Sequence, residues 1–114
     1  MQPQQLELAR PVPGVVLVRA RGDVDAYTAP GLRSHLRAAT EGGDELVVVD
    51  LADVTFIDSA GLGALVGAHR RMREGGGRLR IVRPPPLVAR AFELTGLDSV
   101  LDLRDDREHA LAEP

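Results

Sequence analysis

The sequence contains no cysteine and no lysine; all 14 of its basic residues are arginine. Without cysteine there is no disulfide framework and no thiolate-ligated metal site, and a reducing compartment fits. Without lysine there is no Gly-x4-Gly-Lys-Ser/Thr phosphate loop, in which the lysine neutralises the phosphates. Aromatic residues are scarce, at 3%, too few for the stacking platforms of single-strand nucleic-acid binders. The formal charge is −3, whereas a nucleic-acid reader carries a basic face. No direct nucleic-acid contact is therefore expected. No apolar run approaches the roughly 20 residues of a membrane-spanning helix, and no membrane association is expected. Met1–Gln5 lack the charged start and apolar run of a secretory signal. The expected location is the cytoplasm.

What is present is the balance of an ordinary globular protein: 114 residues, 44% apolar and 27% charged. A chain of this length buries roughly two-thirds of its unfolded surface, enough for one core. No repeat or linker divides it, so a single domain over 1–114 is expected, with its core between about Leu6 and Leu103. The tail after Ala110 is expected to fray.

Leu6 and Leu8 alternate with polar neighbours as in a half-buried strand, and Val15–Val18 form an apolar strand beyond the Pro13-Gly14 turn. The two read as a hairpin. Thr28 is the expected N-cap of a helix carrying Leu32, Leu36 and Ala39 and ending at Gly42-Gly43. Leu46–Leu51 reads as a strand covered on both faces, followed by a loop over Ala52–Asp58. A second helix is expected from Ser59 to about Glu74, stopped by Gly75-Gly76-Gly77. Leu79–Val82 form a strand, Pro86 opens a third helix and Gly96 caps it. Val100–Leu103 read as a last strand and Asp105–Leu111 as a final helical turn or two. The pattern predicts an α/β domain with a mixed, mostly parallel sheet, an N-terminal hairpin and about four surrounding helices.

The segment Val48–Gly63 carries the functional signal. Asp58 and Ser59 stand where loop becomes helix, and either can cap it. The helix then holds Gly61, Gly63 and Gly67, each costing about 1 kcal/mol against alanine. With Leu62, Leu65, Val66, His69 and Met72 taken as the core face, Ala60, Gly63, Ala64 and Gly67 fall on the flank and far side. Such a smooth face permits close approach of another backbone, either a neighbouring element or a docking partner. A phosphate on Ser59 would add about −1.5 to −2 charges at a helix N-terminus, which tolerates negative charge. The surface would change and the fold would not.

The run Asp58-Ser59-Ala60-Gly61-Leu62-Gly63 after an apolar strand resembles the signature of STAS domains, in particular the bacterial anti-sigma factor antagonists. Gly22-Asp23-Val24-Asp25 is similar to the family's motif ahead of its first helix. Gly75-Gly76-Gly77 and Phe92-Glu93-Leu94-Thr95-Gly96-Leu97 match its next turn and its late helix, so the likeness spans about Leu6 to Leu103. The resemblance implies a partner switch. The unphosphorylated antagonist binds an anti-sigma factor, which is also a serine kinase, and frees the sigma factor. Phosphorylation of Ser59 ends that binding and a serine phosphatase restores it. By position Asp25 matches a family aspartate near the phosphoacceptor. From the residues themselves, Asp25 and Asp58 are the expected polar groups flanking Ser59, and Ala60, Gly61, Gly63 and Ala64 join them in the expected partner-binding surface. The resemblance implies no cofactor, ATP being held by the kinase. No catalytic residue is expected in this chain, and a monomer or weak dimer is expected. The resemblance also leaves open an unmodified subunit of a lipid-transport ATPase or stress-signalling assembly, and a small-ligand sensor.

Other chemistry finds little support. A serine hydrolase needs a histidine base, but His69 is ten residues along the Ser59 helix, about 15 Å away, and His35 and His109 lie elsewhere. No Gly-x-Ser-x-Gly elbow is present, and no His and carboxylate spacing makes a metal site. Asp50, at an expected strand end, lacks the acidic pair and lysine of a receiver domain and reads as a loop-organising residue. Arg70, Arg71, Arg73, Arg78, Arg80 and Arg83 are scattered by helix and strand periodicity, so a solvated or partner-facing role is expected.

Overall fold

The computed structural model describes residues 5–105. Strands β1 (Gln5–Val12) and β2 (Val15–Val24) form an antiparallel hairpin that pairs Leu6 with Ala20 and Leu8 with Val18. Gly14 takes φ 82° at its turn, a conformation glycine adopts without steric cost. The chain continues through α1 (Ala29–Thr40), β3 (Leu46–Ile57), α2 (Ser59–Glu74), β4 (Arg78–Val82), α3 (Pro86–Thr95), a short 3₁₀ turn at Leu97–Ser99 and β5 (Asp102–Arg104). The strands lie in the order β1-β2-β3-β4-β5, and every pair after the hairpin is parallel.

The sheet advances one strand at a time, and its helices gather on one face. Val16, Val18 and Ala20 of β2, Val47, Val49 and Leu51 of β3, and Leu79 and Ile81 of β4 point to that face. They pack with Leu32 and Leu36 of α1, Leu65 and Met72 of α2, and Val88 and Phe92 of α3 in one continuous core. Side chains alternate across a strand, so the residues between these point the other way. There a smaller apolar set, Val15, Leu17, Leu46, Val48 and Val82, is buried beside ionic groups.

Those ionic groups correct two expectations. Arg80 is not solvated: it is 2% exposed, and its Nε donates to Asp102 Oδ2 at 2.9 Å. Asp50 is not at a strand end but inside β3, fully buried. Its Oδ1 accepts from the Ala52 amide at 3.0 Å, and its Oδ2 from Arg83 Nη2 at 2.6 Å. Arg83 follows β4 with φ 54°, the one left-handed non-glycine among the described residues. The charge-assisted bond to Asp50 and the Arg83 amide bond to Arg104 O, at 2.8 Å, hold it there. A carboxylate buried in this way is sustained by its partners.

The expected loop over Ala52–Asp58 is also corrected. β3 runs on to Ile57, with Asp53, Val54, Phe56 and Ile57 paired to Arg21, Gly22, Asp23 and Val24 of β2. Its second half reads as polar because only Val54 and Ile57 are buried there. One sheet face is covered at that end and the other is open. The last strand begins at Asp102 rather than Val100. Three α-helices are described where about four were expected; beyond Asp105 the expected final helix lies outside the described residues.

Candidate functional site

The register of β2 and β3 assembles the site. Val24 and Ile57 are paired residues at the ends of adjacent parallel strands, roughly 4.8 Å apart, and the Asp58 amide donates to Val24 O at 3.0 Å. Asp25 and Asp58 are the next residue on each strand, so the two motifs, 33 positions apart in the chain, emerge side by side. Thr55 Oγ1 ties them further by donating to Asp23 Oδ1 at 2.6 Å.

Each aspartate organises its own loop. Asp25 Oδ1 accepts from the amides of Tyr27 and Thr28, both at 3.0 Å, which fixes the turn into α1. Thr28 holds the N-cap position, but its hydroxyl makes no cap bond. It turns back on the loop, accepting from the Asp25 amide and donating to Asp23 O, both at 2.9 Å. At the start of α2 the cap is Asp58. Its backbone is extended (φ −115°, ψ −171°) and its Oδ1 accepts from Ala60 N at 2.9 Å and, at a longer 3.5 Å, from Gly61 N. Replacing Asp58 with alanine leaves those amides unpaired, and we expect a loss of about 1 kcal/mol. Asp58→Asn should keep most of it, as read by urea denaturation of both variants.

With Asp58 as cap, Ser59 is spared that task. It is the first residue of α2, exposed, and its hydroxyl has no hydrogen-bond partner among the described residues. It lines a shallow groove of about 500 Å³ with Arg33 of α1, Leu62, Gly63, Val66, Gly67 and Arg70 of α2, Thr95 at the end of α3 and Leu97 of the 3₁₀ turn.

The remaining candidates divide. Gly63 is exposed on the groove, and a Cβ there would meet only Arg33 Nη2, at 3.7 Å. Ala60 is half-buried. Gly61 and Ala64 do not belong to an outer face: both are buried, Ala64 at 3% exposure. A Cβ on Gly61 would stand 2.5 Å from Val24 Cγ1 and 2.9 Å from Ile57 Cγ1. The core stripe of α2 is Gly61, Leu65, Ala68 and Met72 flanked by Leu62 and Ala64, rotated from the one drawn through the larger side chains. Small residues face the sheet because the helix sits close on it.

Residue type alone did not reveal two surface features. Of the three aromatic residues, only Phe92 is in the core. Tyr27, 91% exposed, sits in the loop that Asp25 organises, and Phe56, 45% exposed, is paired with Asp23. Both therefore project at the strand ends that carry Ser59. No local signal in the sequence separates these two from the buried Phe92, since their exposure follows from the loop and the strand pairing that place them. His69 is half-buried in α2, ten residues from Ser59, and His35 Nδ1 contacts Gly31 O within α1 at 3.1 Å, so neither stands as a base for Ser59. Among the described residues no group of three or more His, Cys, Asp or Glu is placed to hold a metal ion. No described helix is long and apolar enough to cross a membrane.

Fold and site together define a small mixed α/β domain that presents an unengaged serine on the first turn of a helix, beside two loop-ordering aspartates. A family model described as the STAS domain matches residues 8–110, and the chain belongs to that family. It is 35% identical over 88 residues to the anti-sigma-B factor antagonist of Bacillus subtilis, covering 77% of this chain and 80% of that one. To the anti-sigma F factor antagonist of Paenibacillus polymyxa it is 30% identical over 101 residues, 88% of this chain and 86% of the relative. The crystal structure of an anti-sigma factor antagonist from Mycobacterium paratuberculosis superposes with a TM-score of 0.88 at 28% identity, covering 96% of this chain and 92% of that one.

Proposed function

We propose that this chain is an anti-sigma factor antagonist of the cytoplasm, switched by phosphorylation of Ser59. Unphosphorylated, it binds an anti-sigma factor and so releases the sigma factor that the partner holds. The anti-sigma factor acts as its serine kinase. In that step Ser59 Oγ gives up its proton to a base of the kinase and forms a bond to the γ-phosphorus of ATP, and ADP leaves. A serine phosphatase hydrolyses the ester and restores the free hydroxyl. The chain itself holds no cofactor and catalyses nothing; it is substrate and ligand in turn.

The observation that carries this reading is the idle Ser59 hydroxyl. Asp58 caps the helix, and Ser59 is exposed and uncommitted on its first turn. The relatives named as anti-sigma factor antagonists, matched over most of both chains, support the assignment. Tyr27 and Phe56 supply the exposed aromatic anchors on which interface energy concentrates.

The test is the intact mass of the chain after incubation with ATP and the anti-sigma kinase of the same genome. The expected result is a gain of one phosphate that Ser59→Ala abolishes. A gain that persists in Ser59→Ala, or no gain with any such kinase, overturns the switch.

A further inference from the structure

Arg33 projects from α1 toward α2, and its Nη2 lies 3.7 Å from the place a Cβ would occupy on Gly63. The guanidinium thus rests over bare backbone, in space that a larger side chain at position 63 would occupy. Ser59 is four residues earlier on the same helix, and residues so spaced are neighbours about 5–6 Å apart on a helix surface. Arg33, Ser59 and Gly63 line one groove. Among the described residues Arg33 has no hydrogen-bond or ion-pair partner. Arg71, by contrast, is engaged, donating from Nε to Thr40 Oγ1 at 3.2 Å. An unpaired guanidinium on the same groove as the phosphoacceptor is set to receive an anion placed there.

We infer that Arg33 is the internal receiver of the phosphate on Ser59, drawing it across Gly63 into the groove between α1 and α2. The inference rests on Ser59 as the modified residue and adds how the modified state is held. Guanidinium binds phosphate through two parallel N–H···O bonds. The pair would lie over the groove side chains Leu62, Val66 and Leu97. Phosphorylation then does more than add charge: it closes the groove with an ion pair that a partner must break or bury. Arg33 acts as a positioning residue for the phosphate, and Gly63 keeps its path open.

The test installs phosphoserine at position 59 during translation, so that no kinase is needed. The second ionisation of the phosphate is then followed by phosphorus NMR in the otherwise unaltered chain, in Arg33→Gln and in Arg70→Gln. A paired guanidinium favours the dianion and lowers that pKa from its ordinary value near 6. Arg33→Gln, an exposed substitution that leaves the core intact, should raise it by about half a unit or more, and Arg33→Lys should restore only part of the shift. Arg70→Gln should move it less. Equal titration of the unaltered and Arg33→Gln chains, or a larger effect of Arg70→Gln, overturns the assignment. Because the phosphate is placed directly, failure here is separate from failure of a kinase to modify Ser59.

Discussion

Gly61→Ala should destabilise the domain by about 1–3 kcal/mol, the usual cost of overpacking a filled core, although alanine is the better helix former by about 1 kcal/mol. The added methyl would overlap Val24 Cγ1 at 2.5 Å and Ile57 Cγ1 at 2.9 Å. Val24 is β-branched, fully buried and held in a strand, so it has little rotamer freedom with which to yield. The first turn of α2 has to lift instead. Gly63→Ala, two residues along the same helix, is the control: its methyl would have only Arg33 Nη2 near it, at 3.7 Å. That variant should be as stable as the parent or up to about 1 kcal/mol more so. Urea denaturation of both separates a packing role from a docking role. A stable Gly61→Ala domain would contradict the close helix–sheet approach that places Ser59.

The second large effect is on binding. Ser59→Asp should leave stability within about 0.5 kcal/mol or raise it slightly, since a negative charge on the first turn favours the helix. The same substitution should weaken binding of the anti-sigma partner by about 30-fold or more, because an unmatched charge buried at an interface costs about 2–5 kcal/mol. Ser59→Ala should bind as the parent does and resist switching off. Thermal melts alongside partner titrations distinguish the surface switch from its alternative. If Ser59→Asp lost binding by losing its fold, the switch would be one of stability.

The sequence carried much of this in local signals. Asp58, Ser59 and the stop at Gly75 bound α2 as expected, because caps and glycine turns are written within a few residues. Gly61 and Ala64 belong to the core, although a stripe drawn through the largest side chains leaves both out of it. Against a flat sheet the closest positions take the smallest residues, and only the pairing of Val24 with Ile57 shows which positions those are. The buried Arg80 and the Asp50–Arg83 pair were hidden for a similar reason. Their partners lie 22 and 33 residues away, a separation at which periodicity is silent. Arg33 beside Gly63 likewise depends on how α1 packs against α2.

The most direct test of the switch is calorimetric titration of the anti-sigma factor of the same genome with this chain, first unmodified and then carrying phosphate on Ser59. The account predicts saturable binding of the unmodified chain and affinity at least about 30-fold weaker for the phosphorylated one, a difference of about 2 kcal/mol. Equal affinity of the two forms would contradict it.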